Sequence, residues 1–186
     1  MRNLYFCLLK CNEVNMSFPT RNLTRLLPAF TLALVLLSAC APPYQNERFS
    51  YQPPSGAKIN TLMLDGQPRL WIKSGSLDFS VTQQEIPEGS SLQEIYQAYR
   101  VENESRMTRY QFISETPLEL SGTPAIETIY RGFSGEPYVQ RRELWVEKDG
   151  WAYLLMCSDP VDSTTGLQIP VHEKCYELAE GFQFKE

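Results

Sequence analysis

The stretch VQRRELWVEKDGWAYLLMCS, residues 139–158, holds two runs rich in Trp, Val, Tyr and Leu on either side of Lys148-Asp149-Gly150-Trp151. Asp-Gly tolerates the positive φ angles of a tight hairpin turn, so the runs predict two antiparallel strands, 139–148 and 151–158. The second run, from Trp151 to Cys157, is apolar almost throughout. That pattern predicts a central strand covered on both faces.

Working outward, residues 112–120 and 125–133 read as two more strands. Upstream of them Ser91 and Glu94 have capping-box spacing, and Leu92, Ile95, Tyr96 and Tyr99 fall at i, i+3, i+4 and i+7. This predicts a helix with one apolar stripe, running to about Arg109, whose Tyr96 and Tyr99 pack in the core. Earlier still come short strands at 49–52, 59–64 and 70–73, with Asp65-Gly66 as a hairpin turn. Residues 77–86 follow, where Leu77, Phe79 and Val81 alternate with Asp78, Ser80 and Thr82 as in a half-buried strand. At the other end Pro170, Val171, Cys175 and Leu178, with Gly181 just beyond, describe a short helix, and residues 182–184 add a last strand. Consecutive strands joined by hairpins predict an α+β fold, an antiparallel β-sheet with helices packed on its faces. The chain of 186 residues has room for one such domain, expected over residues 49–186.

Residues 26–39 form the one long apolar run, broken by Pro28 and Thr31 and preceded by Arg21 and Arg25. It is shorter than the roughly 20 residues that span a bilayer core, and reads as the apolar region of a signal peptide. The expected organisation is a signal peptide at 1–39, with Met16 as the expected start, then a tether at 40–48 containing Pro42 and Pro43. With Met16 as the start, Cys7 and Cys11 are not read as half of a metal site. Leu37-Ser38-Ala39-Cys40 resembles the lipobox of bacterial lipoproteins, L-[AS]-[AG]-C, at all four positions. The resemblance implies cleavage before Cys40, a diacylglycerol on its sulfur and acylation of the new amino group. Each buried methylene is worth about 0.8 kcal/mol, and two or three chains together anchor stably. Ala41 after the cysteine, rather than Asp, implies the periplasmic side of the outer membrane in a diderm source.

Removal of residues 1–39 takes away four of the 17 basic residues and one of the 22 acidic ones, leaving a net charge of −8. Such a chain repels phosphate backbones and carries no basic stripe, so nucleic acid is not an expected partner. Cys157 and Cys175 remain, 18 residues apart. In an oxidising compartment an even count reads as a disulfide, worth on the order of 3 kcal/mol for this loop. Two buried free thiols are the other reading.

Three short motifs occur in order along residues 48–184. Phe49-Ser50-Tyr51-Gln52-Pro53-Pro54-Ser55-Gly56 is similar to F-x-Y-P-x-G, Leu120-Ser121-Gly122-Thr123-Pro124-Ala125 to L-x-G-x-P-A, and Gly150-Trp151-Ala152-Tyr153-Leu154-Leu155 to G-x-x-Y-x-L. Together they resemble the PsbP-like fold family, DcrB-like lipoproteins included. The resemblance implies an α/β/α sandwich that acts as a binding or assembly-assisting module and not as an enzyme. The cysteine pair is not a general feature of that family, and no metal-binding histidine set is present.

Candidate chemistry is sparse. Gly132-Phe133-Ser134-Gly135-Glu136 is close to a nucleophile elbow, with Asp159 or Asp162 and His172 following in the order of an α/β-hydrolase triad. Its fifth residue is wrong and no strand-turn-helix surrounds it, so Ser134 and Gly135 read as a hairpin turn. His172 lies near Glu173, Cys175 and Glu177, but a tight zinc site needs three or four converging N or S ligands. Glu102 and Glu104 read as a solvated helix face. No catalytic residue, metal or cofactor is therefore expected. The expected function is a membrane-anchored, non-catalytic binding or assembly-supporting lipoprotein of the bacterial cell envelope, held to lipid through acylated Cys40 and partnered by another envelope protein. The alternative is a small-ligand or solute-binding lipoprotein using Trp71, Trp145 and Tyr153 in one pocket, and an envelope hydrolase ranks last.

Overall fold

A computed structural model of the protein describes residues 43–64, 67–135, 137–164 and 170–185. The expected leader with Leu37, Ser38 and Ala39, the expected lipidation site Cys40 and the turn expected at Asp65-Gly66 lie outside the described residues. The elements in chain order are β1 (Tyr44–Gln45), β2 (Phe49–Tyr51), β3 (Lys58–Leu64), β4 (Gln67–Ser74), β5 (Leu77–Glu85), α1 (Leu92–Arg106), β6 (Thr108–Leu120), β7 (Thr123–Phe133), β8 (Tyr138–Lys148), β9 (Trp151–Pro160), α2 (Glu173–Glu180) and β10 (Phe182–Phe184). Seven strands form one antiparallel sheet in the order β3-β4-β5-β9-β8-β7-β6, and β1-β2-β10 form a second. The fold is mostly antiparallel sheet with two helices among the described residues, and none of those helices is long and apolar enough to cross a membrane.

The β8–β9 hairpin turns where the sequence predicts, with Lys148 paired to Trp151 and positive φ at Asp149 (52°) and Gly150 (76°). Two left-handed residues in succession match the right-handed twist of the flanking strands. Strand β9 lies between β5 and β8, so its apolar run is packed from both sides. Tyr153, Leu155 and Cys157 join a cluster with Phe49, Tyr51, Phe79 and Phe182, together with Cys175 and Leu178 of α2. Leu154, between them in sequence, packs instead with Tyr96 of α1 and Trp145 of β8. Alternate residues of a strand point to opposite faces, which accounts for both clusters from one run.

Helix α1 begins as its sequence indicates. The Ser91 hydroxyl accepts the Glu94 N–H at 3.3 Å and the Glu94 carboxylate accepts the Ser91 N–H at 2.9 Å. It ends three residues before the expected Arg109, because Met107 turns extended and buries its side chain with Tyr130 and Val139. Gly132 makes room for it: a Cβ there would lie 2.9 Å from the Met107 terminal carbon. Arg109 then takes a φ of 55°, and β6 starts with a register shift between Thr108 and Gln111.

Two other boundaries differ from expectation. Part of the stretch read as a tether is a strand, since Tyr44 pairs with Tyr51 and Gln45 with Ser50. Asn46 closes this turn by accepting the N–H groups of Arg48 (2.9 Å) and Phe49 (2.8 Å). Helix α2 starts at Glu173 and not in the turn after Pro170. Its N-cap is His172, whose Nδ1 accepts the Lys174 N–H at 3.2 Å. A ring nitrogen here supplies the acceptor that an exposed helix N-terminus needs.

Candidate functional site

Helix α2 is fixed to the large sheet by three covalent or polar contacts. Cys175 forms a disulfide with Cys157 of β9, their Cα atoms 5.7 Å apart. Arg142 of β8, paired in register with Cys157, donates from Nη1 to the Cys175 carbonyl at 3.3 Å. Its guanidinium also lies over the Tyr176 ring, 4.1 Å from the centroid. Arg142 is nearly buried at 7% side-chain exposure, and its charge is met by Glu127 of β7 (13%) at 2.6 Å. Removing two charges from water is costly unless each meets a partner, and here the pair, a carbonyl and an aromatic face surround the cation.

Beside this clamp, between α2 and the outer strands β6 and β7, runs a groove of about 660 Å³. Leu118, Leu120, Leu144 and Phe182 make its apolar surface, and Arg142 and Glu127 the polar part. The exposed Tyr176 forms one wall, with Glu119 and Glu180 also lining it. Such a surface suits an apolar side chain with a polar or basic flank. The fixed position of α2 means that little ordering is needed when something binds.

A second polar cluster holds α1 to the sheet. Glu143 is 2% exposed and accepts hydrogen bonds from the Tyr130 hydroxyl and from Trp145 Nε1 (3.1 Å). Asn103 of α1 donates to the Tyr130 hydroxyl at 3.2 Å. Tyr96 donates to Glu115, which also meets Arg100 at 3.3 Å. Burial pushes the Glu143 carboxyl above its ordinary range, against the opposing effect of the two donors and of Arg141. A carboxyl raised on folding stabilises fully below its unfolded pKa, and that stability is lost as pH rises through the native value. Glu143→Gln is therefore expected to melt higher than the parent at about pH 8, the difference closing towards about pH 4. Thermal melts across that range test it. A parent that is the more stable protein at the upper end would mean that the hydrogen bonds outweigh desolvation.

The residues singled out in the sequence do not assemble into one site. Cys157 and Cys175 are joined as the disulfide, so Cys175 offers no thiolate to a metal. Ser134 and Gly135 lie between the antiparallel strands β7 and β8, with Gly135 at a φ of 77°. The His172 Nδ1 accepts a helix N–H, which places any ring proton on Nε2, the nitrogen that a hydrolase needs free as its base. Asp162 accepts the Thr164 N–H and hydroxyl at 2.9 and 2.8 Å, and burial raises the Asp159 carboxyl. Glu102 is paired with Arg106 at 2.6 Å on the outside of α1. Trp71, Trp145 and Tyr153 do not share a pocket. Tyr153 packs with Phe49 and Phe182, Trp145 with Tyr96 and Tyr99, and Trp71 bonds Asp78 at 3.1 Å beside a hollow of about 190 Å³. Tyr153 is on one face of the large sheet and the two tryptophans on the other, with β5 and β9 between them, so aromatic content alone does not make a pocket.

Sequence reading passed over Arg142, Glu127 and Glu143. A signal was present: Arg141-Arg142-Glu143 are three consecutive charges in a strand whose remaining residues are largely apolar. Alternation forces at least one of them to each face, and on a strand covered on both sides each needs a buried partner.

No protein-family model and no curated protein matches the chain. In structure it is similar to cyanobacterial PsbP (CyanoP) from Synechocystis sp. PCC 6803, at 14% identity and a TM-score of 0.57, over 79% of this chain and 94% of that one. It is also similar to the Ran-binding protein Mog1p of Saccharomyces cerevisiae, at 11% identity and a TM-score of 0.52, over 78% and 96%. On these likenesses and the strand order above, the chain has a PsbP-like fold.

Proposed function

We propose that the protein is a lipid-anchored, non-catalytic binding or assembly-supporting module of the bacterial cell envelope, its PsbP-like α/β/α sandwich held at the membrane by acyl chains on Cys40. The observation that carries this reading is the Leu37-Ser38-Ala39-Cys40 tetrapeptide, placed where a basic and then apolar leader ends. A binding role draws support from the groove beside α2, whose wall is clamped by the disulfide and Arg142. It also draws support from the neighbour described as a Ran-binding protein. The partner is another envelope protein that places an apolar side chain against Leu118 beside the exposed Tyr176 ring.

Cys40→Ser is the direct test. Two or three acyl chains give stable anchoring and none gives no anchor, so the parent is expected in the alkali-washed membrane fraction with fatty acid attached. The variant is expected to carry no fatty acid and to lose cleavage before residue 40, and any variant molecules cut elsewhere should appear in the soluble fraction. A variant still cleaved before residue 40 and carrying fatty acid, or a parent that carries none, would overturn the reading.

A further inference from the structure

We infer that the end of the domain formed by the β1–β2 turn, Lys185 and the β8–β9 turn rests against the lipid headgroups of the bilayer that holds Cys40, with Arg48 and Trp151 as its contact. This rests on the anchor proposed above.

The first step is reach. Three residues separate Cys40 from Tyr44, where β1 begins. An extended chain advances at most about 3.6 Å per residue, so Cys40 lies within about 14 Å of the Tyr44 backbone. A domain of this size is roughly 35 Å or more across, by its expected radius of gyration. So short a connection keeps the surface near β1, and not the far end of the domain, next to the lipid.

The second step is what that surface offers. The Tyr44 ring packs on Phe49 at 5.6 Å, so the start of β1 and the far side of its turn belong to one small unit. In that turn the Arg48 guanidinium lies over the Trp151 ring, 3.8 Å from the centroid. The Lys185 N–H donates to the Arg48 carbonyl at 2.9 Å, and Lys148 pairs with Trp151 across the β8–β9 turn. Tryptophan and tyrosine favour the headgroup level of a bilayer, where an apolar ring and a polar edge are both satisfied, and Lys and Arg meet the phosphates there.

The third step is charge. On these segments Glu47, Glu147 and Asp149 stand against Arg48, Lys148 and Lys185, and Glu85 of β5 faces Trp151, so among the described residues this end carries about one of the eight excess negative charges of the chain from Cys40 onward. The remaining surface holds nearly all the acidic excess and is repelled by anionic lipid. Anchor length and charge thus select the same end.

The three tryptophans make the contact measurable, because Trp71 and Trp145 lie on the sheet face opposite the small sheet. The full-length lipidated protein is reconstituted in phosphatidylcholine and phosphatidylglycerol vesicles brominated on the acyl carbons nearest the headgroup. Trp71→Phe with Trp145→Phe leaves Trp151 as the sole emitter, and Trp145→Phe with Trp151→Phe leaves Trp71. The expected result is about twofold quenching of Trp151 and little change at Trp71, as for a ring held at headgroup depth. Should loss of buried Trp145 unfold the domain, Lys148→Glu with Lys185→Glu in the natural tryptophan background replaces it, with vesicle flotation kept and quenching lost. Protein that floats with the vesicles while Trp151 stays bright, or while Trp71 is quenched equally, overturns the contact and leaves the anchor standing. Protein that does not float overturns both.

Discussion

Replacing Glu127 by alanine is expected to cost about 3–5 kcal/mol of folding stability, the range for stripping one partner from a buried ion pair. Glu127 is the carboxylate that meets the Arg142 guanidinium at 2.6 Å, and neither side chain has much access to water. Without it Arg142 keeps only the Cys175 carbonyl and the face of Tyr176, which do not balance a full charge. Because the same guanidinium touches two residues of α2, the loss should also loosen the groove wall. Denaturant unfolding with the disulfide intact measures the effect. The double variant Glu127→Ala, Arg142→Met should recover most of it, since an apolar side chain of similar length leaves no unpaired charge. A single variant that loses less than about 1 kcal/mol would place the guanidinium in water.

Gly181→Ala is expected to cost about 3 kcal/mol, the upper part of the usual range for overpacking. A Cβ at Gly181 would lie 2.2 Å from the carbonyl oxygen of Gln52 and 3.2 Å from a ring carbon of Tyr51. The obstacle is backbone, and that backbone is held by the Gln52 N–H donating to the Gly181 carbonyl at 2.9 Å. Relief therefore requires moving β2 against β10. The φ of Gly181 is −68°, an angle that alanine accepts, so the cost is steric alone. Gly56→Ala makes the control, with a φ of 79° and open space around its Cβ position. It should lose about 1–2 kcal/mol through the left-handed backbone. Thermal melts of the two variants should rank them in that order, and equal losses would refute the close approach.

Gly181 also shows how a correct boundary can be read for an incomplete reason. The sequence places a glycine just past a helix, where a left-handed cap is the usual demand. The helix does end there, but the residue is right-handed and the glycine serves the packing of β2. The β1 strand escaped for a related reason. Two residues beside prolines carry no periodicity of their own, and Tyr44 and Gln45 are ordered because β2, already paired with β10, offers them an edge.

From sequence alone came the β8–β9 hairpin, the central place of β9 and the capping box of α1. Each of these rests on residues within a few positions of one another, where turn angles, caps and alternation operate. Tertiary structure alone decided that Arg142 meets Glu127 under α2, that Glu143 is sealed among Tyr130, Trp145 and Asn103, and that Trp71, Trp145 and Tyr153 go to different places. Those outcomes depend on which strands become neighbours, and burial forces a charge to find a partner only after the neighbours are in place.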